Sequence, residues 1–340
     1  MRNVVATALA IAGLTLSLPA SLVAQWAPSG GPEECRVTWD LAVSGTDIYA
    51  ATDRGVFLSG DGGRTWRKVF SFERKVDKAV ADGQGGRPIE ESVSLRFERV
   101  LACGSDVFAW GDGRLFRSSD RGATWTEIEA PVPSWRMVPL AAGRVNLYFT
   151  ESLYTQAFIS RDRGESWAWI DCPVMANCFY EHGPYLFLGM GGRGHKSPPL
   201  SEGGRTAVNS VYRSEDGGRT WRKARFQLSA PVRCLAAVGT DLFVATERGL
   251  YLCHDLGACR KASKLKLPAD VTVWSLCAVG NALFVRTDQS IYRVRNEGGI
   301  WMALDTGWPI EIGSTSLVAA GSDLYAGTRV SGVWRCPVPR

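Results

Sequence analysis

Three tryptophans, Trp39, Trp135 and Trp274, and four arginines, Arg96, Arg99, Arg136 and Arg233, with Glu98 among them, are the side chains of this sequence best suited to holding a ligand. A flat indole stacks on an apolar ring surface, and a guanidinium fork takes a carboxylate or sulfate through paired hydrogen bonds. Together they fit a sugar or an anionic group. Arg87 falls in one long polar stretch (71–95), and Arg193, His195, Lys196 and Arg205 fall in a second (190–209); both stretches can extend such a contact. Trp39 and Trp274 sit at equivalent places in the repeat described below, so packing between repeats is an equally physical use for them.

Other kinds of chemistry find less support. The three histidines, His182, His195 and His254, are scattered and no Cys-x-x-Cys occurs, so no metal site is expected. Gly189-x-Gly191-x-x-Gly194 matches a dinucleotide fingerprint in letters. His195-Lys196-Ser197-Pro198-Pro199 follows it, however, and two prolines exclude the helix that must open there. No cofactor is expected.

The elements that position these residues are set by an internal repeat. Four intact octads occur: Ser59-Gly-Asp61-Gly-Gly63-Arg-Thr65-Trp66, Ser118 to Trp125, Ser160 to Trp167 and Ser214 to Trp221. Two decayed copies follow, Cys253 to Arg260 and Val294 to Trp301. The carboxylates of Asp61, Asp120, Asp162 and Asp216 can accept from turn N–H groups, and glycine supplies a positive φ, so each octad builds a tight hairpin. The Trp then opens the next strand and fills the gap to neighbouring sheet. None of the octads has the acidic twelfth residue of a calcium loop.

Two strand pairs recur seven times around the octads, one from Ile48-Tyr49 to Leu324-Tyr325 and one from Val56-Phe57 to Val333-Trp334. A further apolar strand precedes each unit, centred on Leu41, Val100, Pro139, Phe179, Leu235, Leu276 and Leu317. This predicts an all-β, seven-bladed propeller over 25–340, each blade holding four antiparallel strands from A (innermost) to D (outermost). The seventh unit stops at Cys336 without strand D. Gln25-Trp26 resembles the start of a D strand, so the N-terminal strand is expected to complete blade seven and close the ring. The two polar insertions then lie in D–A and B–C connections, which share one face with the starts of the A strands, and the candidate residues gather at that mouth of the central channel.

The octads resemble the Asp-box, or BNR, repeats of the sialidase-type propellers and their relatives. The resemblance covers 25–340 and implies that the boxes are structural, on the rim away from the binding face. It does not carry an activity over: the Phe-Arg-Ile-Pro-like motif of sialidases is absent between Gln25 and Ser59, and Gly86-Arg87-Pro88-Ile89 is a scrambled echo placed after the first box. In size and export signal the chain is most similar to the photosystem II assembly-factor type, exported propellers that bind a protein and perform no chemistry. The expected function is a binding or scaffold module for a protein or glycan partner. The alternative is a carbohydrate-active enzyme, a divergent glycosidase or lyase using the same mouth.

Arg2, the apolar run Val4–Leu18, Pro19 and the small-residue exit at Leu22-Val23-Ala24 read as a secretory signal peptide cleaved after Ala24. The mature protein is expected outside the cytoplasm as a monomer without a membrane span. A formal net charge of +5 is too small to argue for nucleic acid. The nine cysteines are an odd number for an oxidising compartment, and the close pairs Cys172/Cys178 and Cys253/Cys259 are the disulfide candidates. The second pair flanks the hairpin of the decayed fifth box, where a bridge could replace lost packing.

Overall fold

The computed structural model describes residues 25–32, 35–78, 89–130, 137–142, 146–151, 156–173, 176–190, 209–226, 228–256, 262–265, 272–295, 301–304, 307–308 and 314–338. They form seven four-stranded antiparallel sheets, the blades of a propeller. The A strands are Thr38–Ser44, Arg99–Cys103, Met137–Ala142, Ala176–His182, Val232–Val238, Val273–Val279 and Ser314–Ala320. In blade seven, Ala27–Pro28 pairs with Val333–Pro337, so the N-terminal segment supplies the outermost strand as the sequence predicts. The expected leader, residues 1–24, lies outside the described residues.

Seven apolar clusters lie between successive blades, one at each junction. The second strand of each blade is covered on both faces. In Asp47–Thr52, Ile48 and Ala50 pack on blade seven while Tyr49 and Ala51 pack on blade two. This explains why these strands read as unbroken apolar runs rather than as alternation. Exposed Arg67, Lys68, Arg222 and Lys223 on outermost strands keep those open edges from pairing with other chains.

Each intact box folds as its residue types require. Asp61 accepts from Ser59 Oγ at 2.8 Å, from the Thr65 amide at 2.9 Å and from Thr65 Oγ1 at 2.6 Å, and Ser59 Oγ accepts from the Gly63 amide. Asp120 repeats the pattern with Ser118 and Thr124. Gly122 adopts a φ of +84°, and a Cβ there would lie 3.0 Å from the Val69 side chain of the preceding blade. The indoles bolt the blades together: Trp66 Nε1 donates to Ser29 O, Trp125 Nε1 to Val69 O and Trp167 Nε1 to Glu129 O, each in the preceding blade. Trp221 packs in the apolar cluster between blades three and four, beside Phe179 of its own blade, without a carbonyl for its Nε1 among the described residues. Trp26 Nε1 donates to Leu304 O just after the outermost strand of blade six, so Trp26 plays the same part for blade seven.

Two expectations are corrected. Cys172 and Cys178 do not form a disulfide. Cys172 packs between blades three and four, whereas Cys178 lies on the opposite side of blade four, with Gly189 and Val232 beside it. The sheet separates two thiols that are close in sequence. The first insertion is also not simply a loop: Glu73–Lys78 and Ile89–Ser94 form a two-stranded ribbon outside the blades. In the sequence, Val76, Ile89 and Val93 are isolated among charged and polar residues, which hides the strands from a reading by hydrophobic pattern. Cys259 lies outside the described residues, as do Gly191 and Gly194. Gly189 sits in a strand, where a Cβ would lie 2.5 Å from Val232 Cγ1, so blade packing accounts for that glycine.

Candidate functional site at the channel mouth

The A strands enter their blades through a repeated irregularity. In blades one, four, five, six and seven the register with strand B breaks around one extra residue: Trp39, Asn177, Arg233, Trp274 and Thr315. A bulge leaves its extra residue out of the ladder and re-aims the side chain. Each of these five lies at the second position of its A strand, on the face where D–A connections enter. Trp39 and Trp274, equivalent in sequence, are thus equivalent in geometry, and Arg233 is a third member of the same set.

Arg and Trp meet at this mouth across blade boundaries. The Arg233 guanidinium of blade five lies 4.2 Å from the ring centroid of Trp274 in blade six, and Arg96 of blade two lies 5.1 Å from that of Trp39 in blade one. Arg233 Nη2 also reaches Glu247 Oε1 at 3.1 Å, Arg96 pairs with Glu98, and Arg99 Nη1 lies 3.7 Å from Asp40 Oδ2. Trp274 is 43% exposed. Arg233 Nε and Trp39 Nε1 are buried donors without an acceptor among the described residues.

Just beyond the bulges lie two buried charged groups, Asp40 and Arg286. Asp40 is buried and accepts from the Leu41 and Val100 amides, the latter in the next blade. Burial pushes its carboxyl upward, and Arg99 and the two amides oppose that push. Arg286 is buried too; its Nε donates to Ser275 Oγ at 3.4 Å, and desolvation pushes its pKa down to about 10. The charges of Asp40 in blade one, Arg233 in blade five and Arg329 in blade seven also act on it.

Six of the eight principal candidates, Trp39, Arg96, Glu98, Arg99, Arg233 and Trp274, therefore gather at one mouth. Trp135 and Arg136 lie outside the described residues, as do Arg87, Arg193, His195, Lys196 and Arg205. Sequence reasoning missed Asp40, Arg286, Asn177, Glu247 and Thr315. Arg286 had a readable signal: it stands where the other blades carry Ala51, Trp110, Thr150, Gly189, Ala245 and Gly327. A lone charge at an otherwise small or apolar repeat position marks a departure from the scaffold.

A Tyr–Glu pair also exists: Tyr148 donates to Glu181, which also accepts from Asn146 Nδ2. It sits beside the A–B turns, at the end of the blades opposite Arg233 and Trp274. Burial and Glu181 raise the phenol well above its ordinary value, so it is held protonated. A shallow groove between the first two boxes, bordered by Asp61, Thr65, Trp66, Asp120 and Arg121, shares that face. Its carboxylates are already saturated by their own turns.

No family model matches the chain. No curated protein matches it in sequence. Solved structures share its fold. YCF48 from Cyanidioschyzon merolae is 12% identical with a TM-score of 0.63, over 93% of this chain and 99% of that one. YCF48 bound to D1 peptide matches with a TM-score of 0.60 at 13% identity, over 95% and 99%. Catalytically inactive virginiamycin B lyase from Staphylococcus aureus with quinupristin reaches 0.62 at 10% identity, over 92% and 98%. The extracellular domain of BT4673 from B. thetaiotaomicron reaches 0.63 at 12%, over 92% of this chain and 39% of that one. At these identities the likeness is one of fold alone.

Proposed function

We propose that this chain is an exported, non-catalytic docking propeller that holds a protein or glycan partner on the mouth lined by the bulged A-strand residues. The observation that carries the reading is the recurrence of that bulge in five blades, which turns Trp39, Asn177, Arg233, Trp274 and Thr315 out of their ladders at one rim. A rigid ring that re-aims one side chain per blade suits recognition by a surface assembled from many strands. Similarly folded YCF48 binds a D1 peptide and the BT4673 domain is extracellular, which supports a partner-binding role outside the cytoplasm. The leader ending at Ala24 supplies the route of export.

One observation favours the enzymatic alternative. Asp40, just beyond the bulges, is a buried carboxyl with a raised pKa, the property that a general acid requires. Its hydrogen bonds to the Leu41 and Val100 amides support a structural role instead, lacing blade one to blade two. A screen for sugars released from sialylated, plant and uronic acid-rich glycans separates the two. The docking reading expects no turnover. Robust product release, abolished by Arg233→Ala or Asp40→Asn in a protein with unchanged Tm, overturns it. Mass analysis of the exported protein is expected to find Gln25 at its N-terminus.

A further inference from the structure

Five consecutive blades present an arc with mirror order about blade seven: Arg233 (five), Trp274 (six), Thr315 (seven), Trp39 (one) and Arg96 (two). Each indole carries a guanidinium from its outer neighbour, Arg233 on Trp274 and Arg96 on Trp39. Trp274 keeps 43% of its surface exposed and Trp39 is half-buried, and the two stand on either side of blade seven. Between them the A strand of blade seven carries short groups: Thr315, whose hydroxyl donates to Thr38 O, and Ser316 beside Gly327. Gly327 has no room to become larger, since a Cβ would lie 2.7 Å from Thr315 Oγ1 and 3.0 Å from Thr38 Cγ2.

We infer that Trp39 and Trp274 form an aromatic clamp across blade seven for a neutral, hydroxyl-rich glycan. The inference rests on the docking role of this mouth. Indole faces suit the C–H faces of pyranose rings, which are apolar above and below and polar at the edge. The charges select the neutral class. Arg233 is paired with Glu247, Arg96 with Glu98 and Arg99 with Asp40, so these guanidiniums enter with counter-charges already in place. An anionic ligand must compete with those carboxylates. A hydroxyl can accept from the arginine and donate to the glutamate while leaving the pair intact. Arg329, on the exposed turn of blade seven, lies at the same mouth, and the anionic arms below test its influence.

The test is a tryptophan-fluorescence and calorimetric titration of the full exported protein. The probes are cellohexaose, xylohexaose, oligogalacturonate, sialyllactose and a proline-rich decapeptide, the last because proline rings also stack on indoles. At least one neutral hexasaccharide is expected to bind, with affinity lowered about tenfold or more by Trp274→Ala, one lost stacking platform. Trp274→Phe should restore part of it. Trp169→Ala, which removes a 61% exposed indole from the outer strand of blade three, should leave affinity unchanged. The inference is overturned if only the anionic sugars or the peptide bind, if no neutral sugar binds at millimolar concentration, or if Trp274→Ala has no effect. A partner protein captured at the mouth while every glycan fails would sink the clamp and leave the docking role standing. Glycan turnover would sink the docking role.

Discussion

At the scale of single residues, the box aspartates show how a carboxylate can build a turn. Hydrogen bonds from their own turn threonines, led by Thr65 and Thr124, hold Asp61 and Asp120 at about pKa 2, and Ser166 does the same for Asp162. Asp216 is lowered in the same way. Their folded pKa values lie below the value of about 3.9 for an unfolded Asp, so their stabilisation is complete above about pH 4 and is lost as pH falls through about 2. Thermal melts should therefore show a Tm that drops between those limits. Asp120→Asn should lower the neutral Tm and shrink the acid drop; an unchanged acid drop in a variant lacking several box aspartates would contradict this. The thiols behave oppositely. Burial pushes Cys103 up to about 11 and Cys172, Cys234, Cys277 and Cys336 up to about 12, which keeps them protonated and unreactive near neutral pH.

At the scale of elements, the box hairpin is a joint between blades as well as a turn. Trp125 stacks on Phe70 with centroids 4.8 Å apart and donates to Val69 O, while Arg121 in the same box grips Asp47 of the preceding blade through two 2.6 Å bonds. Removing the indole forfeits both packing and a hydrogen bond. Trp125→Ala should cost about 3 kcal/mol in denaturant unfolding. Arg121→Ala should cost much less, because that side chain is largely solvent-exposed. Equal losses in the two variants would show that the joint is electrostatic. Turn chemistry of this kind is local, which is why the boxes were legible in the sequence. The bulges were not, because an extra residue in a ladder is defined only by its partner strand.

For the molecule as a whole, stability depends on closing the ring. Blade seven takes its fourth strand from the other end of the chain, and Trp26, only 2% exposed, fills the seam against Trp308, with centroids 4.9 Å apart. Trp26→Ala should destabilise the fold by about 3–5 kcal/mol, measured by equilibrium unfolding. Truncation to Ser29 should remove the closing strand and leave the edge Val333–Pro337 open to association. A truncated chain that stays monomeric with its original Tm would deny the closure its role.

The number of blades, the place of the boxes and the N-terminal strand that completes the ring were all readable from the residues, because box turns and apolar runs are written locally and repeated blade after blade. The same repeat brought Trp39, Arg96, Arg99, Arg233 and Trp274 to one rim. Their partners at that rim, in contrast, came from the folded structure alone. The caps on the two indoles, the carboxylates that pair each arginine, the burial of Asp40 and Arg286, and the sheet that parts Cys172 from Cys178 all depend on contacts between blades. Such contacts join residues far apart along the chain, and their geometry follows from how neighbouring sheets stack rather than from the spacing of letters.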